Sequence, residues 1–215
     1  MSYTKLFESL SKSKYDDSPW VHYTFGRALT EAQVDEIRSA KIERSGVLHD
    51  GTRSGYKEGV EKQNHQLREY ITRDNYNKYP ELKKLIDELR SIPIRKMIAK
   101  MVGNENNFAG SFVRLEVLKD TEGFWLKPHI DIPEKLISSL IYVNKTGENI
   151  NLGTDLYNEK KEFVKTIPFW HNYGYIFNGP NAWHGMSEGK QIQVERRGIQ
   201  LNYVTFQTDW PVYED

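Results

Sequence analysis

The chain contains no cysteine in its 215 residues. A disulfide framework, a thiolate metal site and a cysteine nucleophile are therefore excluded, and any metal must be held by His, Asp or Glu. Neither sign of charge is in excess, since 30 Lys and Arg balance 30 Asp and Glu. Such a balance leaves no electrostatic footprint for nucleic acid and no long-range funnel for a charged partner, so no nucleic-acid partner is expected. Long apolar runs are missing too: nothing approaches the ~18 residues of a membrane span, and the start Met-Ser-Tyr-Thr-Lys-Leu-Phe-Glu lacks the apolar core of a signal peptide. The expectation is a cytoplasmic protein with no membrane partner. No unit of roughly 20 to 50 residues recurs, which argues against a solenoid.

The length fits one domain with a sizeable core, and the hydrophobic period changes partway along it. Thr30-Glu-Ala-Gln33 reads as a capping box opening a helix of about three turns from residue 31. Pro80 opens a second helix, with Leu82, Leu85, Ile86 and Leu89 at amphipathic spacing. Pro93 breaks it, and Ile94 to Met101 form a short third one. The polar stretch Leu48 to Asn64, rich in Gly, Ser and charge, reads as a loop or hairpin able to lie over an active-site mouth. From Phe108 the period becomes two. Short strands are expected at Phe112 to Leu118, around His129, and at Leu136–Val143, Phe163–Phe169, Tyr173–Phe177, Trp183–Met186 and Gly198–Phe206. The expected fold is α+β, mainly β: a double-stranded β-helix, or jelly roll, with N-terminal helices packed on one sheet. Residues 1–105 would be a mainly helical lead and support, and residues 106–215 the catalytic core of a single domain.

Chemistry concentrates in Pro-His129-Ile-Asp131 and Ala-Trp-His184-Gly. Residues i and i+2 of a strand share a face, so a strand through His129 would aim its imidazole and the Asp131 carboxylate into one space. His184 lies 53 positions beyond Asp131 (184 − 131), room for several strands and a return across the roll. Two imidazoles and one carboxylate on one side of an ion form the facial triad of non-haem Fe(II) oxygenases. Then, 12 positions after His184 (196 − 184), comes Arg196-Arg-Gly-Ile-Gln-Leu-Asn-Tyr. Ile199, Leu201 and Tyr203 alternate with Gly198, Gln200 and Asn202, and Arg196 is in phase with the second set.

In these features, spanning roughly residues 108 to 206, the chain resembles the 2-oxoglutarate- and Fe(II)-dependent dioxygenases, in particular their prolyl-hydroxylase-like branch. The resemblance implies that His129, Asp131 and His184 hold Fe(II) and that a basic residue after the distal His pairs with the far carboxylate of 2-oxoglutarate. The family pattern places Arg196 in that role, with Arg197 as second choice if the register slips by one. A guanidinium suits the task because its planar fork can donate two parallel charge-assisted hydrogen bonds. The Ile-Tyr-Val-Asn run, residues 141 to 144, matches a family strand whose Tyr helps bind 2-oxoglutarate, so Tyr142 inherits that role. Gly153, in Asn-Leu-Gly-Thr-Asp-Leu-Tyr, matches a family glycine and is read as serving backbone geometry.

By the same resemblance, 2-oxoglutarate and dioxygen are consumed, succinate is released, and an unactivated carbon of a prolyl, other amino-acid, peptide or small-molecule substrate is hydroxylated. Family members that halogenate lack the carboxylate ligand, so Asp131 points to hydroxylation. Arg114, Asn144, Trp125 and Trp183 are further candidates for the cavity wall, whereas His22, His49, His65 and His171 show no ligand spacing. Two other readings stay open from the residues alone: a cupin-type metal enzyme that does not use 2-oxoglutarate, and a non-catalytic jelly-roll binding module.

Overall fold

A computed structural model describes residues 4–42, 66–145, 147–178 and 181–214. The stretch Leu48 to Asn64, expected to cover the active-site mouth, lies outside the described residues. Four α-helices are described: α1 (Lys5–Ser11), α2 (Glu31–Ser39), α3 (Pro80–Arg90) and α4 (Ile92–Val102). Two begin on the signals in the sequence. Thr30 accepts the Gln33 amide hydrogen at 3.1 Å and Gln33 Oε1 accepts that of Thr30 at 2.9 Å, closing the capping box of α2. Pro80 opens α3, whose Leu82, Leu85, Ile86 and Leu89 are all buried. Each such side chain contributes roughly 1.5–3 kcal/mol on burial. Pro93 ends nothing. It sits in the first turn of α4, where its missing N–H has no intrahelical partner to lose, and the helix therefore starts two residues earlier than expected. Gly103, left-handed at φ 70°, terminates it. No helix among the described residues is long and apolar enough to cross a membrane.

Eleven strands among the described residues form two antiparallel sheets. The large one runs β1 (Lys14–Asp16), β2 (His22–Gly26), β9 (Tyr173–Phe177), β6 (Lys135–Tyr142), β11 (Arg196–Val204), β4 (Phe112–Asp120), β3 (Gln66–Tyr70). The small one runs β5 (Leu126–His129), β10 (His184–Met186), β7 (Asp155–Tyr157), β8 (Phe163–Thr166). This is the expected jelly roll with helices on one sheet. The first half is less purely helical than expected, because β1 and β2 extend one edge of the large sheet and β3 forms the other.

Two cores flank the large sheet. On its helix side Ile199, Leu201 and Tyr203 of β11, with Val113, Leu115 and Val117 of β4, meet Leu82, Ile86, Leu89 and Ile98. Between the sheets, Tyr142, Tyr175 and Phe177 meet Leu156, Phe169 and Met186. The register sets Gln200 of β11 opposite Leu140 of β6 and Glu116 of β4, and sets Asn202 opposite Ser138 and Arg114. The polar phase of β11 thus faces inward.

Candidate active site

The two histidines are cross-strand partners, His184 on β10 lying directly opposite His129 on β5 with ring centroids 4.4 Å apart. Gly185 makes the approach possible: a Cβ there would stand 2.5 Å from the Leu126 carbonyl oxygen. Each imidazole is oriented from behind by a backbone carbonyl, His129 Nδ1 by Lys127 at 2.9 Å and His184 Nδ1 by Ala182 at 2.8 Å. Holding Nδ1 as the donor makes Nε2 the nitrogen suited to a metal, an outer-shell arrangement common in metal sites.

Asp131 lies just past the end of β5, so strand alternation alone does not orient it. Side chains of β6 do. Lys135 donates to one carboxylate oxygen and Ser138 to the other, and Asn202 Nδ2 in turn donates to Ser138 Oγ at 2.9 Å and to the Ile137 carbonyl at 3.1 Å. Burial works against the Asp131 charge, yet the nearby His184 and Lys135, with the Ser138 hydroxyl, hold its carboxyl well below the usual carboxylate range. The ligand atoms of His129, Asp131 and His184 lie within 4.8 Å of one another, the one such His/Asp/Glu group among the described residues. Two imidazole nitrogens and one carboxylate oxygen at this spacing fit a divalent transition metal.

Deeper in the roll, Arg196 comes from the first position of β11 and is 4 % exposed. Its Nε donates to the Leu152 carbonyl at 2.6 Å, Nη1 pairs with the buried Asp120 opposite it on β4, and the guanidinium lies over the Tyr142 ring at 5.1 Å. The Tyr142 hydroxyl is 2.6 Å from Thr154 Oγ1 and accepts the Thr154 amide hydrogen at 2.9 Å. Arg196, Thr154, Tyr175, Gln200, Ser138 and His184 line one cleft between the sheets. Arg197 is turned the other way. It donates to the Ile37 and Ala40 carbonyls at 2.9 and 3.0 Å, closing the C-terminal end of α2, and to Glu195 at 2.8 Å. The alternation of β11 is the physical reason: adjacent arginines leave the sheet on opposite faces.

The weaker candidates divide. Arg114 faces inward, stacked on Tyr70 at 4.7 Å and 3.7 Å from the buried Glu116. Asn144 instead closes a hydrogen-bond network with the Glu148 and Phe169 carbonyls. Trp125 and Trp183 are partly buried, under the Lys127 and Lys161 ammonium groups respectively. A Cβ at Gly153 would stand 1.5 Å from the Ile167 carbonyl oxygen, in keeping with a purely geometric role. His22 packs against Trp20 and His171 lies beside Lys145 and Glu31, and neither belongs to the ligand group; His49 and His65 lie outside the described residues. Sequence reasoning missed Ser138, Asn202, Thr154, Asp120 and Tyr175. For Asn202 the signal was present, since it shares the strand phase of Arg196.

No protein-family model matches the chain, and no curated protein matches it by sequence. Solved structures do match by shape. A prolyl-4-hydroxylase from Pseudomonas putida superposes with a TM-score of 0.58 at 12 % identity, over 93 % of this chain and 97 % of that one. A 2OG-Fe(II) oxygenase family oxidoreductase from Burkholderia pseudomallei gives 0.56 at 12 % identity, over 84 % and 81 %. A prolyl hydroxylase from Trichoplax adhaerens, in complex with a peptide fragment of the hypoxia inducible factor oxygen degradation domain, gives 0.54 at 16 % identity, over 94 % and 88 %. The chain shares the jelly-roll fold of these prolyl hydroxylases and of this 2OG-Fe(II) oxygenase.

Proposed function

We propose that the protein is an Fe(II)- and 2-oxoglutarate-dependent dioxygenase that hydroxylates an unactivated carbon of an amino-acid, peptide or other small substrate. The observation that carries this reading is the convergence of His129, Asp131 and His184, each oriented from behind by a carbonyl, hydroxyl or ammonium group, with His184 lining a cleft that the buried Arg196 also lines. His129, Asp131 and His184 would hold the iron and leave one side of it open to ligands. Bound there, Fe(II) supplies the oxidative chemistry that couples decarboxylation of 2-oxoglutarate by dioxygen to hydroxylation of a C–H bond. Arg196 serves as the counter-charge for the far carboxylate, and the Tyr142 and Thr154 hydroxyls set the polar floor beneath it. Ser138 and Asn202 keep Asp131 turned toward the ion. Residues 1–215 act as one oxygenase domain in this reading, since the large sheet draws strands from both halves of the chain. A peptide is a substrate form the fold accommodates, the Trichoplax adhaerens neighbour being a complex with one.

The test is anaerobic. Fe(II) and then 2-oxoglutarate are added to metal-free protein, and the weak visible charge-transfer band of the chelate is followed. The band should appear in the wild type and vanish in His184→Ala. Iron binding without a band favours a metal enzyme that does not use 2-oxoglutarate, and absence of metal binding favours a binding module; either result overturns the proposal.

A further inference from the structure

Tyr175 stands in the middle of β9, opposite Leu140 of β6, and is fully buried between the sheets. Its ring stacks on Phe177 at 5.7 Å, and Phe177 meets the His184 ring edge-on at 5.1 Å. The hydroxyl faces the cleft that Thr154, Arg196 and His184 also line. Among the described residues it makes no hydrogen bond of ordinary geometry, although Thr154 is near. A buried phenol normally finds a partner, because an unmade hydrogen bond in a dry interior is costly. Phenylalanine would fill the same space without that cost.

The neighbouring groups are already engaged. The Tyr142 hydroxyl is occupied with the Thr154 amide and hydroxyl. Arg196 spends Nε on the Leu152 carbonyl and Nη1 on Asp120. A guest carboxylate therefore meets a guanidinium already engaged through Nε and Nη1, and a further donor beside it would add to the hold of the remaining N–H groups. Building on the function proposed above, we infer that Tyr175 is that donor, giving its hydroxyl hydrogen to the far carboxylate of 2-oxoglutarate alongside Arg196. An O–H bonded to an ionised carboxylate is among the stronger hydrogen bonds a protein makes. Burial pushes the phenol well above its ordinary value, so it remains a protonated donor throughout the working range. The tyrosine in contact with the co-substrate is then Tyr175, with Tyr142 supporting Thr154 and stacking on Arg196.

Tyr175→Phe removes the hydroxyl and keeps the ring. In Fe(II)-loaded protein under anaerobic conditions, calorimetric titration should show 2-oxoglutarate binding weakened about ten- to a hundredfold. The melting temperature of the ligand-free variant should be unchanged or raised, since no internal hydrogen bond is lost. Binding of 2-oxopentanoate, which keeps the keto-acid head and chain length but lacks the far carboxylate, should be the same in variant and wild type. Unchanged 2-oxoglutarate affinity would overturn the inference, as would a lower ligand-free melting temperature, which would reveal an internal partner. An equal loss for 2-oxopentanoate would place the effect away from the far carboxylate and would also overturn it. If the wild type binds no 2-oxoglutarate, the proposed function fails first and this inference falls with it; normal wild-type binding with an unaffected Tyr175→Phe removes this inference alone.

Discussion

The two faces of β11 are equally buried and differ in almost everything else. All nine of its residues are buried. Toward the helices it presents Ile199, Leu201 and Tyr203, which pack against α3 and α4, and even the Tyr203 hydroxyl finds the Leu89 carbonyl at 2.5 Å. Toward the small sheet it presents Arg196, Gln200 and Asn202, a set that a core chosen for stability alone would avoid, since burying polar and charged groups is costly unless each is paired. The pairing there is incomplete. Asp120 Oδ1, Asn202 Oδ1 and the Tyr175 hydroxyl are buried without a hydrogen-bond partner among the described residues, and they belong to inward-facing positions of β4, β11 and β9. Equal burial thus differs in kind: on one face mainly apolar packing, on the other a polar surface, which in the proposed function receives a guest.

Adjacent arginines on opposite faces offer the sharpest way to break this comparison. Arg196→Ala should weaken 2-oxoglutarate binding by roughly a hundredfold, the scale of a lost charge-assisted contact. Arg197→Ala should leave that affinity within about threefold and lower the melting temperature by uncapping α2. Calorimetric titration of both variants checks the pair, and the reverse order would mean that the two faces have been interchanged. Leu201→Ala probes the packed face, with the smallest expected effect on binding. It should cost about 2–5 kcal/mol of stability in denaturant unfolding while leaving 2-oxoglutarate affinity unchanged; a large loss of affinity would show that the faces are coupled.

Much of this division was legible in the sequence. Alternation along residues 196 to 203 put the two arginines on opposite faces, as they are found, because a one-residue step in a strand always reverses the face. His129 and His184 were visible because few residue types bind metals and this chain has no cysteine. Asp131 was found by spacing, but its orientation comes from Lys135, Ser138 and Asn202, contacts made across strands that no local pattern specifies. The edge strands were missed for a similar reason. Lys14–Asp16 is three residues long and exposed on two of them, and Gln66–Tyr70 is a short run of mixed polarity, so neither has the period-two signal of a half-buried strand. Tyr175 lay in an expected strand, yet only the folded chain reveals that its ring lines the cleft beside Arg196 and Thr154 while its hydroxyl makes no hydrogen bond of ordinary geometry.

The most direct measurement is an anaerobic titration of Fe(II) into metal-free wild type and Asp131→Ala, followed by calorimetry. If the inner face is a metal-dependent oxygenase site, the wild type binds a single Fe(II) tightly and the variant loses that binding, because two neutral imidazoles must then hold a dication without an anionic ligand. Equal affinity in the two proteins would contradict the account, and would leave the buried polar face of β11 without the metal it is argued to serve.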